Sequence, residues 1–248
     1  MGTIWQGLRS VLFIAEMYLA MALMALYWTP LVLWRKENAV RAIHAYCRHV
    51  RASAALMVGL RSEVRGTVPT ADALVAAKHQ SFFDIIILCS VLPRPRFIMK
   101  KELLRAPILG WYAKRIGCVA VDRGKRGQAV RAMLDGAQRG PGVPSQLVIY
   151  PQGTRVPPGA HRPYKPGTAA LYEALGMVCV PVAANVGVFW PKRSLMRRPG
   201  LAVIEFLEPI APGVPAGELM KRLESSVEGV SDRLMAEAGF VPQAVARE

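Results

Sequence analysis

The sequence is poor in acidic residues and shows no pattern of metal ligands. Its 248 residues include 17 Asp and Glu against 32 Lys and Arg, so the formal net charge at pH 7 is +15. The four histidines form no ligand set with nearby carboxylates, and we therefore expect no metal site. The four cysteines stand far apart without a CxxC pair, which indicates buried free thiols in a reducing, cytosol-facing compartment.

Motifs of several other protein classes are also missing. The chain has no Walker loop, no GxGxxG fingerprint and no GxSxG elbow, which disfavours nucleotide binding and serine hydrolysis. Nucleic acid would explain the positive charge but not the 52% of apolar residues, and aromatics are not interleaved with the basic residues outside the apolar N-terminal segments. A chain that is both basic and apolar favours an anionic membrane surface as its partner.

Residues 1–60 predict two membrane-associated helices. Residues 10–34 are almost wholly apolar, with Glu16 as the one charge, and are long enough for a spanning helix. Residues 37–59 have the pattern of a basic amphipathic helix that lies on a membrane surface. A true span, a hairpin in one leaflet and simple packing against the domain all stay open. The basic flank after Trp34 places the remaining chain on the cytoplasmic side of the inner membrane.

Residues 61–240 predict an α/β domain. Short apolar runs alternate with helical stretches, which indicates a mixed, largely parallel sheet flanked by helices. The predicted strands are 73–77, 96–100, 118–121, 146–150, 178–184 and 201–207. The predicted helices are 84–91, 107–116, 127–138, 167–176 and 216–238. We expect residues 241–248 to form a loose tail.

A histidine and an aspartate flank the predicted start of one helix in the stretch KHQSFFD. His79 comes just after a predicted strand, where ligands of α/β proteins bind. Asp84 could accept a hydrogen bond from one ring nitrogen of His79 and leave the other nitrogen as a base. Ser81 and Asp84 also have the spacing of a capping box, which requires no catalysis. The two interpretations are compatible.

Cations follow several predicted strands. In the stretch YPQGTR, Gly153 permits a tight turn, and Arg155 offers a planar group suited to phosphate. Lys100 and Lys101 follow a second predicted strand, and Arg123 follows a third. One such cation is an ordinary solvated side chain, whereas several at the same edge of one sheet would form an anion site.

These stretches resemble, in order, the conserved blocks of the lysophosphatidic acid acyltransferase family, the 1-acyl-sn-glycerol-3-phosphate acyltransferases. HQSFFD is similar to the H-x4-D block, GCVAVDR to the second, YPQGTR to the third and VCVPVAAN to the fourth. KKELLRAPILGWYAKRIG is similar to the connection between the first two blocks. The resemblance covers about residues 70–210. It implies an enzyme of phospholipid biosynthesis that transfers an acyl chain from acyl-CoA or acyl carrier protein to the sn-2 hydroxyl of lysophosphatidate, giving phosphatidic acid.

The resemblance also implies a role for each candidate residue. His79 would be the general base, and Asp84 would orient it. No cofactor or metal would be needed, because histidine takes the proton and cations hold the phosphate. The phosphate-binding candidates are Arg155, Lys100, Lys101 and Arg123. The residues expected to shape the substrate site are Ser81, Gln152, Gly153, Thr154 and Pro181.

Two positions depart from the family pattern. Gln152 stands where glutamate is common, so a hydrogen-bonding role would survive but a role requiring negative charge would not. Lys78 stands where asparagine is usual, and its charge would tend to lower the pKa of His79. Two alternative functions stay open: acylation of another acceptor, such as a lyso-ornithine lipid or glycerol-3-phosphate, and a non-catalytic module that binds anionic lipid.

Overall fold

A computed structural model of the protein describes residues 2–122, 126–140 and 142–241, without the side chains of 126–129. The α-helices are α1 Thr3–Trp34, α2 Asn38–Val58, α3 Phe83–Val91, α4 Pro107–Arg115, α5 Arg126–Gln138, α6 Gly167–Leu175 and α7 Ala216–Glu237. The strands are β1 Leu60–Arg65, β2 Ala73–Ala77, β3 Pro95–Lys100, β4 Val119–Val121, β5 Gln146–Ile149, β6 Cys179–Ala184 and β7 Gly200–Phe206. Short 3-10 helices cover Lys101–Arg105 and Val186–Val188.

The strands form one sheet in the order β1-β7-β6-β2-β5-β3-β4. Strands β2 to β6 run parallel, β7 runs antiparallel to β6, and β1 runs parallel to β7. This confirms the predicted mixed, largely parallel sheet. The central strands β2, β5 and β6 are buried throughout, because helices cover both faces of the sheet. The carboxyl ends of β2 to β6 therefore meet at one edge.

Strand β1 was not predicted. Its sequence, LRSEVR, is half charged and lies at the edge of the sheet, where it pairs only with β7. An edge strand tolerates charged side chains because one side faces solvent, so the apolar pattern used to find the other strands is absent. Gly59, with a φ of +72°, ends α2 in the left-handed conformation and turns the chain directly into β1.

The two N-terminal helices pack against the domain along the length of α1. Ser10 and Val32, near opposite ends of α1, are fully buried. The carboxylate of Glu16, the single charge of the apolar run, pairs with His49 of α2. Phe13 belongs to the same hydrophobic cluster as Ile87 of α3. The opposite face of α1 is exposed and apolar, with large exposed side chains at Ile4, Trp5, Leu8, Val11, Leu12, Tyr18, Leu19, Leu23, Leu26, Tyr27, Leu33 and Trp34.

By length and hydropathy, α1 is the one helix in the described part of the chain that could cross a membrane. Of the predicted tail 241–248, only Val241 lies within the described residues, and it is exposed.

Candidate active site

The structure places His79 and Asp84 in direct contact. His79 follows β2 at the carboxyl edge of the sheet, and its Nδ1 atom lies 3.0 Å and 3.1 Å from the two carboxylate oxygens of Asp84. An ionised carboxylate only accepts hydrogen bonds, so Nδ1 is the donor, and in the neutral tautomer this leaves the lone pair on Nε2. The Asp84 side chain is fully buried, whereas that of His79 is 13% exposed. The pair thus presents a base to a partly open site.

The carboxylate of Asp84 also accepts hydrogen bonds from backbone N–H groups just before α3. Oδ2 of Asp84 accepts hydrogen bonds from the backbone N–H groups of Gln80 at 2.9 Å and Ser81 at 2.8 Å. Oγ of Ser81 accepts one from the backbone N–H of Phe83, the first residue of the helix, at 3.2 Å. Only one half of the predicted capping box is present: Asp84 accepts from the N–H of Ser81, whereas Oγ of Ser81 accepts from the N–H of Phe83 and not from that of Asp84. Asp84 therefore bonds both to His79 and to the backbone, and the cap fixes the position of the base.

Tyr150, at the end of β5, supports the pair from a second strand. Its ring stacks on the imidazole of His79, with the ring centroids 3.9 Å apart and the planes inclined by 17°. Its hydroxyl donates to Oδ1 of Asp84 at 3.3 Å. Burial, followed by the charge of Asp84, raises the pKa of Tyr150 well above its ordinary value, so the hydroxyl stays protonated and remains a donor. The plane of the imidazole is fixed by this stack.

The YPQGTR segment turns back beside the base. The N–H of Gly153 donates to the carbonyl of Tyr150 at 2.8 Å, and the φ of Gly153 is +68°, which favours glycine. The N–H of Val156 donates to the carbonyl of His79 at 2.8 Å. This backbone contact holds the preceding Thr-Arg pair next to the base.

A buried ion pair lies behind His79. The Lys78 side chain is 2% exposed, and its Nζ atom lies 2.5 Å from Oε2 of Glu228 on α7. Oε1 of Glu228 accepts hydrogen bonds from the hydroxyl of Tyr164 at 2.8 Å and from the amide of Gln152 at 3.3 Å. One carboxylate of the C-terminal helix thus joins the end of β2 to the loop after β5.

The two residues that depart from the family pattern, Lys78 and Gln152, both contact Glu228. The amide of Gln152 donates to this carboxylate, a contact that a glutamate at position 152 could not make while ionised. The charge of Lys78 is offset by Glu228 instead of standing unpaired beside His79. Lys78 and Gln152 are therefore parts of one local arrangement.

A cavity of about 560 Å³ opens beside His79. Most of its wall is apolar and is contributed by α1, α2, α3, β3 and α4; Met21, Trp28, Ile43, Ile86, Phe97 and Tyr112 are among the lining side chains. Its polar part is lined by His79, Thr154 and by four cations, Lys100, Arg155, Lys192 and Arg193. The cavity therefore fits a molecule with a long apolar part and an anionic head.

The structure does not bring every predicted site residue to this cavity. Lys101 is exposed at the start of a 3-10 helix and does not line the cavity. Pro181, expected to shape the pocket, lies within β6 in register with Ala76 and is buried in the middle of the sheet, so it does not wall the cavity. Ser81 and Gln152 are buried behind the site. Arg123 lies outside the described residues.

Four further residues at the site were not singled out from the sequence. Tyr150 is the first residue of the YPQGTR block. Its position at the end of a predicted strand could have indicated that it lies at the site. Glu228 flanks the buried stripe of α7, where a carboxylate beside apolar residues could have been noticed. Lys192 and Arg193 come after β6 only beyond a 3-10 helix, so the rule that collected the strand-end cations does not reach them.

The fold and the site define an enzyme for an amphiphilic, anionic substrate, with a histidine base where an apolar cavity meets a group of cations. A model of the family named Acyltransferase matches residues 61–185, and the chain belongs to this family. The chain is 28% identical over 204 residues to the 1-acyl-sn-glycerol-3-phosphate acyltransferase of Pseudomonas aeruginosa, covering 79% of this chain and 77% of that protein.

Eukaryotic relatives match over a shorter part of their own length. The 1-acyl-sn-glycerol-3-phosphate acyltransferase of Saccharomyces cerevisiae is 30% identical over 184 residues, which covers 71% of this chain and 59% of the yeast protein. Among solved structures, the 1-acyl-sn-glycerophosphate acyltransferase PlsC of Thermotoga maritima superposes with a TM-score of 0.75 at 22% identity. That match covers 92% of this chain and 98% of PlsC, and it shows that the two proteins share a fold.

Proposed function

We propose that the protein transfers an acyl chain from a thioester, acyl-CoA or acyl carrier protein, to the sn-2 hydroxyl of 1-acyl-glycerol-3-phosphate, giving phosphatidic acid. The observation that carries this proposal is the position of His79, oriented by Asp84, at the junction between the apolar cavity and its cations. The names of the relatives support the same reaction and the same acceptor.

The proposed reaction needs one base. The acceptor hydroxyl gives its proton to Nε2 of His79 while its oxygen attacks the thioester carbonyl carbon. Asp84 stabilises the imidazolium through the Nδ1 hydrogen bond. Collapse of the tetrahedral intermediate then breaks the C–S bond, and the leaving thiolate takes the proton from Nε2. The products are an ester and a free thiol, and no acyl-enzyme forms.

The acceptor phosphate is assigned to Arg155 and Lys100. Arg155 adjoins Val156, whose N–H is bonded to the carbonyl of His79, so its backbone lies beside the base, and its side chain lines the same cavity as His79. Lys100 ends β3 and lines the same cavity. A planar guanidinium with a second cation suits a phosphate monoester. The apolar part of the cavity would hold an acyl chain.

We place α1 flat on one leaflet of the cytoplasmic face of the inner membrane. Contacts with the domain run along the helix, from Gln6, whose amide donates to the carbonyl of Val58 at 3.0 Å, to Thr29, whose hydroxyl lies 3.3 Å from that of Tyr112. These contacts along the helix support an orientation in which α1 stays against the domain and does not cross the bilayer. Its exposed apolar face and the net charge of +15 both favour an anionic surface.

The test is an acyl-transfer assay with purified protein in neutral detergent. Acyl-CoA or acyl carrier protein is offered with lysophosphatidate, a lyso-ornithine lipid or glycerol-3-phosphate, and free thiol and lipid product are measured. We expect transfer to lysophosphatidate that falls by at least ~100-fold in His79→Ala, the loss typical for removal of a general base. His161→Ala, which removes an exposed imidazole outside the cavity, serves as the control.

Two outcomes would contradict the proposal. Full activity of His79→Ala would exclude this histidine as the base, and lipid binding without transfer by the wild-type protein would indicate a non-catalytic module. Arg155→Ala distinguishes acceptors that carry a phosphate from those that do not. Only a mild effect of this substitution on the KM of the acceptor would indicate an acceptor without phosphate.

A further inference from the structure

The loop after β6 carries two cations on a fixed backbone at the mouth of the cavity. Lys192 and Arg193 lie in the segment 190–199, between the second 3-10 helix and β7. Gly187 of that helix donates its N–H to the side-chain oxygen of Gln80, next to His79, at 3.0 Å. The N–H of Arg197 donates to Oγ of Ser10 on α1 at 2.9 Å. The loop is therefore attached both to the catalytic segment and to the membrane helix.

An aromatic stack anchors the start of this loop. The ring of Trp190 lies 5.2 Å from that of Phe83 in a stacked arrangement and 5.6 Å from that of Phe13 in an edge-on one. The guanidinium of Arg197 lies 4.1 Å from the Trp190 ring centre. Lys192 and Arg193 are thus presented by a packed loop and not by a free surface segment.

Arg193 has an unusual backbone conformation. Its φ of +64° makes it the single non-glycine residue with positive φ in the described part of the chain. This conformation is costly for a residue with a Cβ atom, and such residues concentrate at binding and catalytic sites. The side chain of Arg193 is among those that line the cavity.

The charges at this mouth are not neutralised by the protein. None of the four neighbouring cations forms a salt bridge within the described residues: Arg155, Arg162, Lys192 and Arg193. Loss of hydration, followed by repulsion from the three arginines, lowers the pKa of Lys192. A cluster of like charges without a counter-charge at salt-bridge distance in the described part of the chain favours a bound polyanion.

A charge count indicates more than one anion. The acceptor phosphate monoester carries about −1.5 to −2 at pH 7, which Arg155 and Lys100 already balance. Three positive charges are then left without an anion to balance them: Lys192, Arg193 and the nearby Arg162. The second substrate of the proposed reaction is also anionic, because both CoA and the carrier protein attach the thioester to a pantetheine that carries phosphate.

We propose that Lys192 and Arg193 form a separate site for the phosphate of the acyl donor. The inference rests on the proposed acyl transfer, since it assigns the second substrate of that reaction to this loop. Binding there would hold the donor at the open end of the cavity, while its thioester reaches His79 and its acyl chain enters the apolar part.

The test compares the wild-type protein with the double variant Lys192→Gln/Arg193→Asn in neutral detergent. Asparagine is chosen because it tolerates the left-handed conformation at position 193. The control is Arg198→Gln, which removes an exposed cation from the same loop but outside the cavity lining. KM is measured for the donor and for lysophosphatidate, with whichever of acyl-CoA and acyl carrier protein the wild-type enzyme uses. An acyl-pantetheine without phosphate is the second donor.

We expect KM for the phosphate-bearing donor to rise by about 10- to 100-fold in the double variant, the loss expected for charge-assisted contacts to phosphate. KM for lysophosphatidate should stay unchanged, the control should resemble the wild type, and all forms should use the phosphate-free donor equally. An unchanged donor KM, a rise confined to lysophosphatidate, or a loss that persists with the phosphate-free donor would overturn the assignment.

A binding measurement separates this inference from the proposed function. CoA and the phosphopantetheine form of the carrier protein are titrated into His79→Ala, with and without the double substitution. Weaker binding of either ligand in the presence of the double substitution supports the donor site even if the acceptor proves to be a different lipid. Equal affinity, or no binding to either form, refutes the donor site irrespective of the acceptor.

Discussion

The ion pair between Lys78 and Glu228 should be the most sensitive contact between the C-terminal helix and the catalytic edge of the sheet. We consider Glu228→Gln, Lys78→Met and the double variant. Glu228→Gln leaves the ammonium of Lys78, which is 2% exposed, without a counter-charge. Glutamine keeps the approximate shape and the acceptor oxygen for Tyr164, so the change isolates the charge.

The expected magnitudes differ between the two single variants. Removal of one partner of a buried ion pair costs about 3–5 kcal/mol, and we take about 3 kcal/mol for Glu228→Gln because that side chain is 17% exposed. Lys78→Met should cost about 1–2 kcal/mol, because Glu228 keeps two hydrogen-bond donors. In the double variant no buried charge is left, so its cost should be below the sum of the singles by about 1–3 kcal/mol.

Thermal unfolding in detergent checks these values. A loss of about 3 kcal/mol should lower Tm by about 6–12 °C for a chain of this size. Acyl transfer should fall in parallel for Glu228→Gln, since Glu228 also holds Gln152 in the loop that carries Arg155. Additive losses in the double variant, or a single Glu228→Gln variant as stable as the wild type, would refute a coupled buried pair.

Three other substitutions or probes address the site. Asp84→Asn should reduce acyl transfer by more than ~100-fold and also lower Tm, because the carboxylate orients His79 and accepts two backbone N–H groups; normal activity would exclude it as the orienting group. Gly153→Ala should lower Tm, because φ is +68° and the new Cβ would lie 2.9 Å from Nζ of Lys165; an unchanged Tm would show that the turn relaxes. Burial raises the pKa of Cys118 to about 12, so this thiol should resist alkylation at pH 8 until the protein unfolds; rapid labelling of the native protein would contradict that.

The sequence predicted the parts of the site that depend on one local pattern. Apolar runs located strands β2 to β7, and His79, Lys100 and Arg155 follow from the rule that the carboxyl ends of parallel strands share an edge. Contacts made by residues distant in the chain could not be found in this way. Glu228 lies 150 residues from Lys78, and no spacing connects the two.

The apolar cavity was also beyond sequence reasoning, because its wall combines α1 and α2 with α3, β3 and α4. The residues of α1 that line it, such as Met21 and Trp28, read as membrane-facing in the sequence. Only the packing of α1 against the domain shows which face of the helix turns inward. Pro181 does not reach the cavity for a different reason, since it lies in the buried central strand β6.

Helix α1 serves two apolar environments at once. Met21, Met24 and Trp28 line the cavity, whereas Leu19, Leu23 and Leu26 lie exposed on the outer face. An acyl chain bound in the cavity would be separated from the surrounding lipid by the thickness of a single helix, about 10 Å. The inner face of α1 thus bounds the substrate cavity, and its outer face would contact the lipid. A substitution on either face would change how the bound substrate is separated from the bilayer.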